Sequence, residues 1–248
     1  MLYSVIVVGD ELLIGQVTDT NSGWMARHLS PFGWEARWVK VVADEAAAIG
    51  QAIDEAFAQT DVVLMTGGLG PTKDDITKAT LCRYFGGELR HDAATARNVE
   101  AVVEARHLKL NDYTRSQAMV PSTCRVIQNQ VGTAPIMWFE RDGKVLVSMP
   151  GVPFETETMM EREVIPQLMR RFHSDVHIAF RNLVVTGIIE SLLPATWVMT
   201  WATLPPVQLS AVDNVSPRSR KISPTMAANG RSSSATMATP RISCKRST

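Results

Sequence analysis

The stretch Met65-Thr-Gly-Gly-Leu-Gly-Pro-Thr-Lys-Asp-Asp-Ile-Thr77 follows a short apolar segment that begins at Asp61. Glycines after a strand let successive backbone N–H groups turn toward one concavity, and a helix that follows adds its positive end. This combination favours phosphate. Because no Gly-Lys-Ser/Thr follows the glycines and the spacing is not GxGxxG, a P-loop kinase and a standard dinucleotide-binding domain are disfavoured.

Two adjacent carboxylates, Asp74 and Asp75, lie in the same stretch. They would repel a phosphate unless a divalent cation lay between them, and carboxylate with phosphate oxygen is the coordination that Mg²⁺ favours. The stretch therefore predicts a site for a metal-bridged phosphate or pyrophosphate. Thr72 and Asp75 also have capping-box spacing, so simple helix capping stays an open interpretation.

Strand patterns alternate with helix patterns along the first 172 residues, which predicts an α/β fold with a mostly parallel sheet. The predicted strands are Tyr3–Val8, Glu35–Val42 and Val62–Met65, followed by a hairpin of Pro135–Glu140 and Lys144–Ser148 around Asp142-Gly143 that adds an antiparallel edge. The predicted helices are Thr20–Leu29, Glu45–Ala58 with Asp44 as N-cap, Ile76–Phe85 ended by Gly86-Gly87, Ala93–Ala105, a short piece around Tyr113–Met119, and Pro153–Phe172 with a kink or restart at Pro166.

Charge and composition change near the end of the chain. Residues 1–190 carry 18 basic and 24 acidic side chains, whereas residues 191–248 carry seven basic residues and one acidic residue. A further strand is expected within Val176–Thr186. From Pro194 onward Ser, Thr and Pro dominate, which predicts disorder rather than a nucleic-acid arm or a membrane-surface helix.

The remaining composition bounds the class of protein. Three isolated cysteines predict neither a disulfide framework nor a metal site. The first residues read as a buried strand rather than a signal peptide, and no apolar run reaches the length of a membrane span. We expect a cytoplasmic protein that binds neither membranes nor nucleic acid.

Three further segments place candidate residues beside the glycine stretch. Asp10 and Glu11 follow the first strand, and Asn21 lies at the start of the next helix. Because ligands of open α/β sheets sit at the carboxyl ends of strands, these side chains are ligand candidates, although capping alone would explain Asp19–Ser22. Turns of small residues within 130–135 and 149–155 add Thr133, Gly151 and Glu155, the last of which could simply favour the helix dipole.

The segments VVGDELLIGQVTDTNSGWMARHL, TGGLGPTKDDIT, VGTAP and MPGVPFE, in this order and spacing, resemble the amino-terminal domain of the CinA competence/damage-inducible proteins, a part of the molybdopterin-binding superfamily with MoaB and MogA. The resemblance covers about residues 3–190. It implies a three-layer α/β/α domain over residues 1–172 and the start of a truncated middle domain over 173–193, followed by a disordered or frameshifted tail over 194–248.

The resemblance also implies an activity. CinA domains are described as divalent-metal-dependent pyrophosphatases of ADP-ribose, so a nucleotide diphosphate, a Mg²⁺, Mn²⁺ or Co²⁺ ion and self-association into homo-oligomers are expected. The rival hypotheses are a molybdopterin-binding protein of cofactor synthesis, with a pterin phosphate as ligand, and a non-catalytic nucleotide-binding module. The resemblance does not extend to the nicotinamide-nucleotide deamidase domain of full-length CinA proteins, so that activity is not expected.

The resemblance matches Asp10 and Asp75 to acidic residues that function in the superfamily, and Gly67, Gly68, Gly70 and Thr72 to its phosphate-binding turn. The other site residues are expected from their places beside strand ends and element boundaries. The expected catalytic residues are Asp75, Asp10 and Glu11, with Asp74, Asp75 and Asp10 as metal ligands. Contacts with substrate or phosphate are expected from Gly67, Gly68, Gly70, Thr72, Asn21, Thr133, Gly151 and Glu155. Two departures from the family pattern are Ile136 and Ile189, each where the family usually has glycine.

Overall fold

The computed structural model of the protein describes residues 1–69, 76–173 and 178, and the backbone of 183–185 and 209–211. The chain divides into two compact units, Met1–His177 and Ile178–Thr248. In the second unit, β9 (Leu183–Val185) and β10 (Leu209–Ala211) form an antiparallel pair. The strand expected within Val176–Thr186 is therefore confirmed at β9, and its other residues, except residue 178, lie outside the described part, as does Ile189. The domain limits at 172 and 193 stay predictions.

The first unit alternates strands and helices. Its strands are β1 (Leu2–Val8), β2 (Glu35–Val42), β3 (Val62–Gly67), β4 (Leu89–His91), β5 (Met119–Pro121), β6 (Arg125–Ile127), β7 (Ile136–Arg141) and β8 (Lys144–Met149). Its helices are α1 (Asp10–Leu13), α2 (Asn21–Leu29), α3 (Ala46–Phe57), α4 (Ile76–Tyr84), α5 (Ala93–Ala105), α6 (Asp112–Ser116), α7 (Pro153–Met159) and α8 (Ile165–Arg171).

One six-stranded sheet has the order β2-β1-β3-β8-β7-β6. The first four strands are parallel, and β7 runs antiparallel to both of its neighbours. The mostly parallel sheet and the β7–β8 hairpin are thus confirmed. Asp142 (φ 53°) and Gly143 (φ 79°) form the hairpin turn with the positive φ values that a type I′ turn requires.

Side chains of the sheet alternate between two cores. On β1, Val5 and Val7 face a cluster that includes Met25 and Leu29 of α2, because successive strand residues point to opposite faces. Ile6 and Val8 face a second cluster that contains residues of α3 and α4, among them Ile49, Ile53 and Leu81. Helices therefore cover both faces, and the fold is the expected three-layer α/β/α arrangement.

Ile136, where the family pattern has glycine, begins β7 and is fully buried. Its side chain belongs to the first core, so it contributes apolar packing at this position.

The long helix predicted over 153–172 is interrupted as expected. A π-helical segment, Met160–Val164, separates α7 from α8, and Pro166 lies in the first turn of α8. Proline has no N–H to donate into an α-helical turn, and widened turns are a common way to absorb such a mismatch. The helix predicted around Tyr113–Met119 is shifted: it ends at Ser116, and Met119 begins β5.

The prediction of Asp44 as the N-cap of α3 is wrong. The cap position is Glu45, and no side chain caps this helix. Asp44 instead bonds to Asp10 across the strand ends, where its Oδ2 accepts from the Asp10 N–H at 3.2 Å. The short elements α1, β4, β5, β6 and β10 were not expected, because segments of three or four residues carry too little periodicity to be recognised.

Within the described residues, every helix is too short or too polar to cross a membrane.

The second core depends on Phe139, which is fully buried and stacks on Phe85 with ring centroids 4.4 Å apart. We expect Phe139→Ala to lower the free energy of unfolding by about 3–5 kcal/mol, through lost burial and the cavity left behind. Val39→Ala is the matched control, since Val39 on β2 is 45% exposed and should cost less than about 1 kcal/mol. Urea denaturation followed by circular dichroism measures both; equal losses would contradict this account of the core.

Candidate functional site

The carboxyl ends of three parallel strands meet at one edge of the sheet. Val8 at the end of β1 is paired with Gly67 at the end of β3, and Thr66 is paired with Met149 at the end of β8. The segments that leave these strands therefore begin side by side, as in other open α/β sheets. We call this region the strand-end site; it comprises Gly9–Glu11, Asn21, Gly67–Leu69, Thr77 and Pro150–Gly151.

Glycine is required where the strands leave the sheet. Gly67 has φ +96°, and a Cβ there would lie 2.0 Å from the backbone oxygen of Val8. Gly68 has φ +64°, and a Cβ there would lie 2.1 Å from Oγ1 of Thr77. At Gly151 a Cβ would lie 3.2 Å from the Cα of Gly67. Three expected substrate-binding glycines therefore come together with their backbones in close approach.

Asn21 is locked in one orientation at this edge. Its Nδ2 donates to Oγ1 of Thr66 at 3.0 Å and to the carbonyl of Gly151 at 2.9 Å, and Thr66 in turn donates to the carbonyl of Pro150 at 2.6 Å. The Oδ1 atom of Asn21 is buried and has no hydrogen-bond partner in the described part of the chain. Such a group carries a desolvation penalty, and its presence at a candidate site needs an explanation.

The start of α4 presents a second buried side-chain oxygen for which the described residues provide no hydrogen-bond partner. Thr77 is fully buried, and its Oγ1 has no hydrogen-bond partner within the described ranges 1–69 and 76–173. This hydroxyl faces Gly68, the residue whose backbone it crowds. The first N–H groups of an α-helix have no partner within the helix, so the hydroxyl lies beside an end that favours anions.

A buried lysine lies one residue further along α4. Lys78 is 1% exposed, and its Nζ lies 3.4 Å from Oε1 of Gln117. Gln117 in turn donates from Nε2 to the carbonyl of Leu69 at 3.1 Å. A buried ammonium is costly unless it is hydrogen-bonded or paired, so this chain of contacts fixes a positive charge near the glycine turn. In the sequence, only its place on a helix face with Leu81 and Cys82, which are also buried, marks Lys78 as unusual.

The expected acidic residues of the first strand end are exposed. Oδ1 of Asp10 accepts from the Asp44 N–H at 3.2 Å, and Oδ2 of Asp44 accepts from the Asp10 N–H. The two carboxylates are thereby held at the ends of β1 and β2. Glu11 lies beside Gly9, where a Cβ would meet its Oε1 at 2.8 Å.

Glu155 and Asn129 fasten the loop that contains Thr133. Oε2 of Glu155 accepts from Nδ2 of Asn129 at 2.8 Å, and the same Nδ2 donates to the carbonyl of Ala134 at 3.0 Å. A Cβ on Gly132 would lie 1.9 Å from the Glu155 carboxylate, so the loop rests directly on it. Burial raises the pKa of Glu155, while the Asn129 hydrogen bond and the charge of Arg106 act in the opposite direction.

The structure thus brings together Asn21, Gly67, Gly68 and Gly151. It places Asp10 beside Asp44 at the neighbouring ends of β1 and β2, and Thr133 and Glu155 on an adjoining loop and helix. Four expected site residues, Gly70, Thr72, Asp74 and Asp75, lie outside the described residues. Across the described ranges, no three His, Cys, Asp or Glu side chains gather into a metal site. The contacts of Thr77, Lys78, Gln117 and Asn129 were not found from the sequence.

Comparisons with known proteins identify the family of this chain. The family model described as a probable molybdopterin binding domain matches residues 4–170. A CinA-like protein of Cytophaga hutchinsonii is 42% identical over 203 residues, which cover 82% of this chain and 48% of the relative. A putative competence-damage inducible protein of Caldicellulosiruptor bescii is 41% identical over 191 residues, which cover 77% and 46%.

A solved structure shows the same relationship. The crystal structure of CinA from Thermoplasma acidophilum, described as a protein of unknown function, is 33% identical with a TM-score of 0.60, and the match covers 66% of this chain and 96% of that one. The chain spans about half the length of the two curated relatives. It therefore belongs to the family of probable molybdopterin-binding domains, among the CinA-like proteins.

Proposed function

We propose that the strand-end site binds the phosphates of a nucleotide diphosphate such as ADP-ribose, and that the chain hydrolyses the pyrophosphate bond with a divalent cation. The observation that carries this proposal is a pair of buried oxygens, Asn21 Oδ1 and Thr77 Oγ1, that have no hydrogen-bond partner among the described residues and lie at a sheet edge lined by glycine backbone. A bound ligand would supply the hydrogen bonds that these atoms lack.

Several groups at the site suit a phosphate. The Thr77 hydroxyl can donate to a phosphate oxygen, the first turn of α4 favours negative charge, and Lys78 adds a fixed positive charge nearby. Gly68, which is half-buried where the chain leaves β3, is proposed to donate its backbone N–H to a phosphate oxygen. Gly70 and Thr72 are proposed to continue the same phosphate-binding turn.

The carboxylates fit a hard divalent cation. Asp10 is exposed and uses one oxygen to accept from Asp44, and an ionised carboxylate has further lone pairs for a metal. Mg²⁺ is commonly held by one or two carboxylates together with substrate phosphates. We assign Asp10, Asp74 and Asp75 as ligands. Such an ion would neutralise phosphate charge and lower the pKa of a bound water.

The chain's own groups would orient the reactants. The bonds from Asn21 to Thr66 and Gly151 leave only its Oδ1 for the ligand, where it can accept from a sugar hydroxyl or from the attacking water. Glu11, which is exposed on α1, is proposed to assist that water. Glu155 supports the Thr133 loop through Asn129, so we propose that it positions this loop against the substrate.

A second candidate function is the binding of molybdopterin in cofactor synthesis, which the description of the matching family favours. Its pterin phosphate would occupy the same phosphate-binding groups. Release of AMP and ribose 5-phosphate from ADP-ribose would support the hydrolase, whereas tight binding of a pterin phosphate without hydrolysis would support the cofactor function.

The metal assignment is tested by Asp75→Asn. We expect purified protein to release AMP from ADP-ribose with Mg²⁺, Mn²⁺ or Co²⁺, and the substitution to lower kcat at least about 100-fold with little change in Tm, because the charge that holds the cation is lost. Glu100→Gln on the exposed side of α5 is the charge-matched control and should keep full activity. Turnover by Asp75→Asn at the wild-type rate would refute the assignment.

The phosphate-binding role of Thr77 is tested by Thr77→Val. Because this buried hydroxyl has no partner among the described residues, its removal should leave stability unchanged or raise it by up to about 1–3 kcal/mol. Loss of a hydrogen bond to a charged phosphate should weaken pyrophosphate binding about tenfold.

Thr80→Val is the matched control, because Thr80 Oγ1 on the same helix is also buried and unpartnered in the described part of the chain. It should have the same effect on stability and none on pyrophosphate affinity. Calorimetric titration and thermal unfolding measure both quantities; equal affinities of the two variants would contradict a phosphate contact at Thr77.

A further inference from the structure

A groove of about 370 Å³ lies between α5, the loop after β6 and the start of α7. Its apolar walls include Ala101 and Ala105 on α5, Val131 on the loop and Phe154 on α7. We call it the α5–α7 groove. Its volume is at the lower end of the range for small-molecule sites.

We propose that the α5–α7 groove binds the flat nitrogen heterocycle of the phosphorylated ligand; this inference rests on the proposed function of the strand-end site. The groove adjoins that site along the chain. Phe154 lies three residues after Gly151, and the Glu155 carboxylate beside it supports Gly132 of the loop that forms the opposite wall. A ligand with phosphates at the strand ends can therefore extend its ring toward the groove.

The walls are fixed to one another before any ligand binds. From α5, Asn98 donates through Nδ2 to the carbonyl of Asn129 at 2.7 Å, and Arg106 donates through Nη2 to the carbonyl of Val131 at 2.5 Å. On the other side, Asn129 donates to Glu155 of α7. Because the helices are tied to the same loop, the groove does not have to be ordered by the ligand, which reduces the cost of binding.

The lining suits a planar ring with hydrogen-bonding edges. Phe154 is 66% exposed, and an exposed aromatic face can stack on a heterocycle. Ala101 and Ala105 leave space above the helix, and the guanidinium of Arg106 offers a planar cation that stacks on rings. The side-chain amides of Asn98 and Gln130 also line the groove, where they can form hydrogen bonds with ring nitrogens or exocyclic groups. Adenine and pterin share this chemistry.

The test fills the groove and separates ring binding from phosphate binding. Titration calorimetry of the full chain with Mg²⁺ compares ADP-ribose, a pterin monophosphate and inorganic pyrophosphate as ligands. We expect Ala101→Trp to lower the affinity for the ring-containing ligand, whichever of the two the wild type binds, by at least about fivefold. Pyrophosphate affinity should stay unchanged. Phe154→Ala should show the same selectivity with a smaller loss.

Two controls match these changes. Ala93→Trp introduces the same side chain at an exposed position at the other end of α5. Val152→Ala truncates a side chain that is 52% exposed and lies outside the groove. Neither substitution should alter the affinity for any of the three ligands.

The outcomes are distinguishable. If Ala101→Trp kept its affinity for the ring-containing ligand, or lost affinity for pyrophosphate to the same extent, the groove assignment would be overturned. Phosphate binding by the wild type would not be affected by either result. Failure of the wild type to bind any of the three ligands would overturn the proposed function and this inference together. Selective loss for ADP-ribose identifies adenine as the ring, and selective loss for the pterin ligand identifies pterin.

Discussion

The close approach of three strand ends determines the candidate site. The backbone at Gly67 passes so near to Val8 that the Cβ of any side chain would lie 2.0 Å from the Val8 carbonyl oxygen. Gly151 packs against the backbone of Gly67. Because the adjacent strands β1, β3 and β8 are parallel, their exits lie together. Glycine permits this close packing, and the start of α4 brings Thr77 against Gly68.

Polar groups around these exits are arranged at a cost in stability. The side-chain amide of Asn21 donates to Thr66 and to Gly151, whereas its buried oxygen has no partner in the described residues. Lys78 is buried in the next layer and contacts Gln117, which holds the carbonyl of Leu69. A domain selected for stability alone would favour apolar groups at such positions, and the proposed ligand contacts would account for the polar groups found there.

The fold could be predicted from the sequence because β1 and β3 are apolar runs, α3 and α5 have clear periodicity, and Asp142-Gly143 marks a hairpin. The site could be predicted in part, since glycines and acidic residues after strands meet at one sheet edge. Lys78 and Gln117 could not be predicted, because their contact joins residues 39 positions apart and depends on packing. Asp44 resembled a helix cap in sequence but bonds to Asp10 in space.

A crystal structure of the chain with ADP-ribose and Mg²⁺ tests the central claim most directly. The account predicts a phosphate oxygen within hydrogen-bonding distance, about 3 Å, of the Gly68 N–H and of Thr77 Oγ1, with Asn21 Oδ1 accepting from the ligand or from an ordered water. A diphosphate bound away from Gly68 and Thr77, with both side-chain oxygens still unpartnered, would contradict it.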